Sequence, residues 1–323
     1  MDTILISPNF FGYPAEIKKA LEARGRSVTW FDDRPAADTL TKGLARLAPK
    51  VIERKSEAYF DGIIEQAKRH DVRDVLVIKG ETLSAGSIKR MRAALPNTRF
   101  TLYFWDSYRN MPAGSEHKVD LFDRAFSFDL EDVKADPRLV YQPLFYVESY
   151  AEMAEVERDI DILFVGTAHS DRVSVLERIA AAVPPKYRFK KILYARSRLL
   201  HRIQRIVSPA YRRTPESDFI FEPMPKAEVQ HLVARSKAVL DIERAIQTGF
   251  TIRTIEMLGS ARKLITTNQW IVQADFYDPQ NQQYIDRDEP VIDVAFLESG
   301  WLPQGDALLK RYTLSGWLDA VLG

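Results

Sequence analysis

Short apolar runs alternate along the chain with segments whose apolar residues recur every three or four positions. TILIS from Thr3, SVTWF, DVLVI and RFTLYF read as strands; PAEIKKALEARG, the stretch from Val51 to His70 and SAGSIKRMRAALP carry helical spacing, the last with Ser84 or Ser87 near its cap. Such βαβ alternation predicts a parallel sheet with helices packed on it. RFTLYF ends at Trp105 and Asp106, and FDRAFSF ends at Asp129, so a first doubly wound domain is expected to close near Pro143. The acidic, helical FYVESYAEMAEVERD then reads as a crossing.

The same architecture starts again with IDILFVG, followed by a helix from Asp171 to Ala182, RFKKILY, a basic helical segment, the strand KAVLDI, a helix holding Glu256, KLITT and PVIDV. The expected organisation is an α/β chain of two Rossmann-like doubly wound domains facing a cleft: residues 1–146, a crossing at 147–158, a second domain at 159–303, and a helical segment at 304–323 that returns to the first domain. In that last segment Leu314, Trp317, Leu318 and Val321 share one side of a helix.

Composition narrows the function. With 323 residues and 46% hydrophobic content the chain has enough material for packed cores, and a net charge of +1 argues against a nucleic-acid binder. The absence of cysteine excludes disulfides, thiolate catalysis and cysteine-ligated zinc. MDTILISPNFFG enters a strand at once and lacks the build of a signal peptide, and no run approaches the ~20 apolar residues of a membrane span. A cytoplasmic protein is expected, with peripheral attachment to the inner face of the cell membrane as an additional reading. His70, His117, His169, His201 and His231 are scattered, and Asp159 and Asp161 of DIDI lead into a strand, so no metal site and no cofactor are expected.

In open α/β sheets ligands lie beyond the carboxyl ends of the strands. The residues there are Gly166, Thr167, His169, Ser170, Asp171 and Arg172 after IDILFV; Asp241, Glu243 and Arg244 after KAVL; and Asn268 after KLITT. GTAHSDR offers a small residue, hydroxyls and a cation at a helix start, suited to phosphate; equally, Ser170 or Asp171 caps that helix. Past the turn containing Gly249, Arg253 and Glu256 stand three apart near a helix amino end, where Arg253 would meet phosphate and Glu256 ribose hydroxyls. The plainer reading is an exposed helical ion pair.

The pattern Arg253, Glu256, Leu258, Gly259 and KLITTN resembles the donor-domain region of GT-B glycosyltransferases. SFDLED near Ser127, PLFY at Pro143 and DFYDPQNQQYID from Asp275 resemble bacterial proteins of capsule, exopolysaccharide and lipopolysaccharide clusters. The resemblance covers most of the chain, best from Asp123 onward. It implies a nucleotide-sugar donor on the second domain, with Glu256 on the ribose and Arg253 on the diphosphate, and a saccharide or lipid-linked acceptor on the first. Ser260 and Ala261 depart from the small-residue turn of many relatives, and the second acid of the fuller signature of retaining members is missing around Gly249. Transfer with inversion needs a base facing the cleft. Asp106 is the leading candidate, through desolvation between aromatics, with Glu81 next and His169 a further option; alternatively Asp106 caps a turn through Ser107 and Tyr108. Competing functions are a nucleotide-sugar epimerase of the same fold and a non-catalytic sugar-nucleotide sensor or scaffold.

One basic segment stands apart. Between Lys190 and Arg213, Arg196, Arg198, Arg202, Arg205, Arg212 and Arg213 interleave with Leu199, Leu200, Ile203, Ile206 and Val207. At helical spacing this is an apolar stripe flanked by cations, which suits an anionic membrane surface. The alternative is a surface helix whose stripe packs on its own domain.

Overall fold

The computed structural model describes residues 1–34 and 49–323. β1 (Thr3–Ser7), β2 (Val28–Asp32), β3 (Asp74–Ile78), β4 (Arg99–Phe104), β5 (Arg124–Ser127) and β6 (Leu139–Tyr141) form one sheet in the order β2-β1-β3-β4-β5-β6. β7 (Ile160–Thr167), β8 (Phe189–Tyr194), β9 (Phe219–Ile220), β10 (Ser236–Asp241), β11 (Lys263–Thr266) and β12 (Gln282–Tyr284) form another, in the order β12-β11-β10-β7-β8-β9. Every neighbouring pair is parallel.

Parallel strands need crossovers, and helices on both faces bury the sheet from either side. β1 and β3 are accordingly buried at every residue, and Ile4, Val75, Phe60 and Ile88 belong to one apolar core. A second core gathers Ile162, Leu193, Ala238 and Ile265 from four strands of the other sheet with Leu176 and Ile179 of the helix Arg172–Ala182. Burying one such Leu or Ile contributes about 1.5–3 kcal/mol. Each sheet also has a point where the strand order reverses: between β1 and β3, and between β7 and β10. There successive crossovers leave toward opposite faces and open a crevice at the strands' carboxyl ends.

The chain divides into two compact units, Met1–Pro143 with Leu314–Gly323, and Leu144–Thr313. The closing helix Leu314–Leu322 joins the first unit because Trp317 is fully buried edge-on against Tyr103 of β4, at 4.9 Å between ring centres. Arg124 also reaches its Ala320 carbonyl at 2.9 Å. In the second unit, the helix Ile252–Gly259 ends on a residue whose lack of a side chain matters. A Cβ on Gly259 would lie 2.3–2.6 Å from atoms of the Tyr146 ring.

Two expected elements differ. PVIDV is not a strand: Pro290 offers no N–H to a ladder, and Asp293 accepts a hydrogen bond from the Ala295 N–H at 2.8 Å, starting the short helix Val294–Glu298. The sixth strand is instead the polar QQY, on the sheet's edge, where only one side of the backbone must be paired. Of the acidic crossing, only Glu148–Ala151 is helical, since the polar run after it has little apolar surface to hold a longer helix in place.

Candidate functional site

β7 runs out at Gly166 and Thr167 on the reversal point of the second sheet. The chain then turns through Ser170, whose φ of 52° is left-handed, into the helix Arg172–Ala182. Neither expected cap forms there. The Ser170 hydroxyl lies 3.2 Å from Nδ1 of His169, and the Asp171 carboxylate accepts from Arg287 at 2.9 Å. Arg172 binds the turn across the reversal point, donating to the Thr167 carbonyl at 3.2 Å and to the carbonyl of Ile242 beyond β10. Its Nε–H is buried and has no acceptor among the described residues. Gly166 sits close under this arrangement: a Cβ there would fall 2.8 Å from Cζ of Phe164 and 3.4 Å from the Arg172 guanidinium.

Arginine charges act on this turn, offset in part by Asp171. Burial, and then the charges of Arg172, Arg244 and Arg196, push the His169 imidazolium down to about 4, so at neutral pH the ring is uncharged and the arginines supply the charge. Arg196 and Arg244 are exposed, while Arg172 is half-buried. Three arginines after neighbouring strand ends can hold a phosphate-bearing ligand.

Past β10, the acidic residues mostly serve the protein. Asp241 accepts from the hydroxyls of Thr251 at 2.6 Å and Thr254 at 3.1 Å, which ties the strand to the capped start of the helix Ile252–Gly259. Glu243 is buried, accepting from Thr267 at 2.6 Å and from Arg287 at 2.9 Å; burial, with Asp241 nearby, raises its carboxyl above the ordinary range. Asn268 is buried as well. Its amide donates to the carbonyls of Thr248 at 3.3 Å and Gly249 at 3.4 Å, and its oxygen accepts from the Trp270 N–H at 2.9 Å, so it fastens the Gly249 loop.

Arg253 and Glu256 do pair, at 2.8 Å. The pair is not the exposed helical ion pair of the plainer reading, because Glu256 is only 4% exposed. Tyr150 joins it: its hydroxyl lies 3.4 Å from Arg253 and is hydrogen-bonded with Glu256. Burial, and then the Glu256 charge, hold that phenol above its usual range.

In the first unit, Glu81 and Asp106 follow β3 and β4 beside that sheet's reversal point. They share a cation, Lys79, at 3.2 Å and 2.8 Å. Burial weakens the Lys79 ammonium, but the two carboxylates outweigh it and its pKa is raised. Lys79 (φ 71°) and Gly80 (φ 63°) are both left-handed, which swings the chain around the strand end. The turn expected after Asp106 is held by another residue: the Tyr108 N–H donates to Asp132 at 2.9 Å. Asp33, fully buried after β2, accepts from the Glu81 N–H at 2.7 Å and the Thr82 N–H at 3.2 Å. Burial pushes its carboxyl up to about 6. On the same rim Phe10 and Phe11 are 43% and 61% exposed, in edge contact at 4.3 Å, with Trp105 at 5.8 Å from Phe10.

The structure thus gathers Gly166, Thr167, His169, Ser170, Arg172, Glu243 and Arg244 at one reversal point, sets Arg253 and Glu256 on the next helix, and groups Glu81 with Asp106 in the other unit. Arg287, Tyr150, Lys79 and Asp33 were not singled out by the sequence. Of these, only Lys79, before a glycine at a strand end, left a local signal; DRDEP around Arg287 reads as a solvated loop. Among the described residues, no three His, Asp or Glu side chains are grouped as metal ligands.

Comparison with solved structures decides the architecture. HepE of Anabaena in complex with UDP and glucose superposes with a TM-score of 0.62 at 10% identity, covering 99% of this chain and 98% of that one. This is the GT-B fold. A glycosyltransferase from Rickettsia africae ESF-5 matches at 0.60 with 12% identity over 98% of this chain and 96% of its own. The UDP-GlcNAc 2-epimerase of Neisseria meningitidis bound to UDP-GlcNAc matches at 0.58 with 11% identity over 100% and 98%. No family profile and no curated protein sequence matches the chain. At these identities the likeness is one of GT-B architecture alone.

Proposed function

We propose that the chain is a glycosyltransferase that takes a sugar from a nucleotide-sugar donor on its second unit and passes it to a saccharide or lipid-linked saccharide on its first. The observation that carries the reading is the turn at the β7–β10 reversal point, where Arg172 is fastened to the Thr167 and Ile242 carbonyls over Gly166 with a buried Nε–H left without an acceptor among the described residues, and Arg196 and Arg244 follow the neighbouring strands. A departing nucleoside diphosphate needs such charge, and the arginines supply it without calling on a metal. In the reaction the acceptor oxygen bonds to the anomeric carbon, the bond from that carbon to the diphosphate oxygen breaks, and the diphosphate leaves with the electron pair. The acceptor proton passes to a carboxylate, Asp106 or Glu81, which Lys79 orients. Exposed aromatic faces at Phe10 and Phe11 beside these carboxylates supply what a pyranose ring needs: an apolar surface and hydrogen-bond acceptors.

The GT-B structures that contain UDP, UDP-GlcNAc or glucose support this by analogy of fold. The SFDLED, PLFY and DFYDPQNQQYID strings support a place in the assembly of a bacterial surface polysaccharide.

Calorimetric titration with UDP, GDP, dTDP and CMP tests the reading. One nucleotide is expected to bind, and Arg244→Ala to weaken it about tenfold or more, the worth of a charge-assisted hydrogen bond. Absence of heat with all of them would overturn it. If the matching nucleotide sugar changes its sugar without an acceptor, the enzyme is an epimerase; binding with neither transfer nor change makes the chain a sensor.

A further inference from the structure

The helix Arg198–Val207 is built inside out. At about 100° per residue, Leu199, Leu200, Ile203, Ile206 and Val207 occupy an arc of about 120°. All five are exposed, at 66%, 61%, 45%, 73% and 66%. The stripe therefore does not pack on its own domain. The face turned inward carries a histidine: His201 is 3% exposed, set among the rings of Phe219, Phe221 and Tyr211 at 4.3, 5.3 and 6.0 Å, with Nε2 3.1 Å from Glu216. Five of the fourteen exposed large apolar side chains among the described residues sit on this one helix of ten residues, so the patch is continuous rather than scattered.

The charges identify what covers it. From Arg196 to Arg213 the chain has six arginines and no acidic residue. Arg198 stacks over the Phe221 ring at 4.2 Å, and Arg205 and Arg213 pair with Glu216 and Glu177, which leaves Arg202 exposed beside one edge of the apolar arc with no ion pair among the described residues. Arg212, exposed, lies at the other end, donating to the Ile206 carbonyl at 2.6 Å. A second copy docking face to face would set these arginines against their own equivalents. A lipid surface with anionic headgroups meets them with phosphates and accepts the leucine and isoleucine side chains below. The helix, about 15 Å long, is too short to cross a bilayer and fits one lying in its surface.

We propose that Arg198–Val207 is an in-plane anchor by which the second unit docks on an anionic lipid bilayer. The anchor stands independently of the donor reading, since none of its apolar residues belongs to the nucleotide site.

Flotation of the full chain with phosphatidylcholine vesicles, with and without phosphatidylglycerol, tests it. The protein is expected to float with the anionic vesicles, less so at high salt, and to stay behind with the neutral ones. Ile203→Ser/Ile206→Ser is expected to lower partitioning about tenfold or more. Arg202→Gln/Arg212→Gln is expected to lower it about 30-fold, near fivefold for each charge. Ile203 and Ile206 are exposed, so far-ultraviolet circular dichroism and the urea midpoint of the serine variant should match the parent. Failure of the parent chain to float, or equal flotation of the serine variant, overturns the proposal. So does a serine variant that turns a dimer into a monomer in sedimentation while vesicle binding stays the same, since the face would then be a protein interface.

Discussion

Replacing Glu256 by alanine would remove a carboxylate that both the fold and the proposed chemistry use. The side chain is 5% exposed, 2.8 Å from Arg253, and hydrogen-bonded with the Tyr150 hydroxyl. Without it, a buried phenol loses an acceptor, at a cost of about 1–3 kcal/mol. Arg253 also loses its nearest carboxylate. A fully buried cation in that position costs about 3–5 kcal/mol, but the Arg253 side chain keeps 19% of its surface in water, which lowers the figure. The two losses overlap, so Glu256→Ala should destabilise the second unit by about 3 kcal/mol. Glu256→Gln keeps an oxygen for Tyr150 and removes only the charge, for about 1–2 kcal/mol. In urea, with a slope of about 3 kcal/mol per molar, the alanine midpoint falls by about 1 M. A double-mutant cycle with Arg253→Met should return a coupling of about 1–3 kcal/mol. An alanine variant within about 0.5 kcal/mol of the parent, or a coupling below about 0.3 kcal/mol, would show that the pair is not formed in solution. The glutamine variant reports separately on the chemistry. If Glu256 exchanges Tyr150 for a ribose hydroxyl, nucleotide affinity falls about tenfold while most of the stability remains.

Asp33 links stability of the first unit to pH. Its folded carboxyl titrates at about 6 against 3.8 for the free group. Between those values the folded chain holds a proton that the unfolded chain has released, so stability falls as pH rises from about 4 to about 6 and levels off above, a total of about 3 kcal/mol. Urea midpoints taken across this range for the parent and Asp33→Asn should converge at the acid end and separate in slope; parallel profiles would contradict the assignment. Gly259→Ala should cost about 1–3 kcal/mol, because its Cβ would sit 2.3–2.6 Å from ring atoms of Tyr146 close to that residue's backbone. A melting temperature equal to the parent's would show that the ring moves aside freely.

Much of the architecture was legible in the chain. TILIS, DVLVI, RFTLYF, IDILFVG and KAVLDI announce buried strands because a sheet covered on both faces admits apolar residues at every position. QQY carries no such mark, since an edge strand is held through its backbone and its side chains need not be apolar. PVIDV carries the mark and is no strand, because proline and an aspartate cap override it. Within the candidate site, Gly166, His169 and Arg172 were found by their place after a strand. Arg287 beside Glu243 and Tyr150 beside Glu256 were not.

What the sequence determined by itself is what depends on neighbours along the chain: the alternation of strand and helix, two successive sheets, and the residues at strand ends where a ligand can sit. Only the tertiary structure decided which of those side chains are already engaged. Arg287 joins Glu243 from 44 positions away and Tyr150 reaches Arg253 from 103 away. It also decided the outward face of Arg198–Val207, since periodicity gives a helix an apolar stripe but no direction. Direction comes from what the opposite face can bury, and here that is His201 among three aromatic rings.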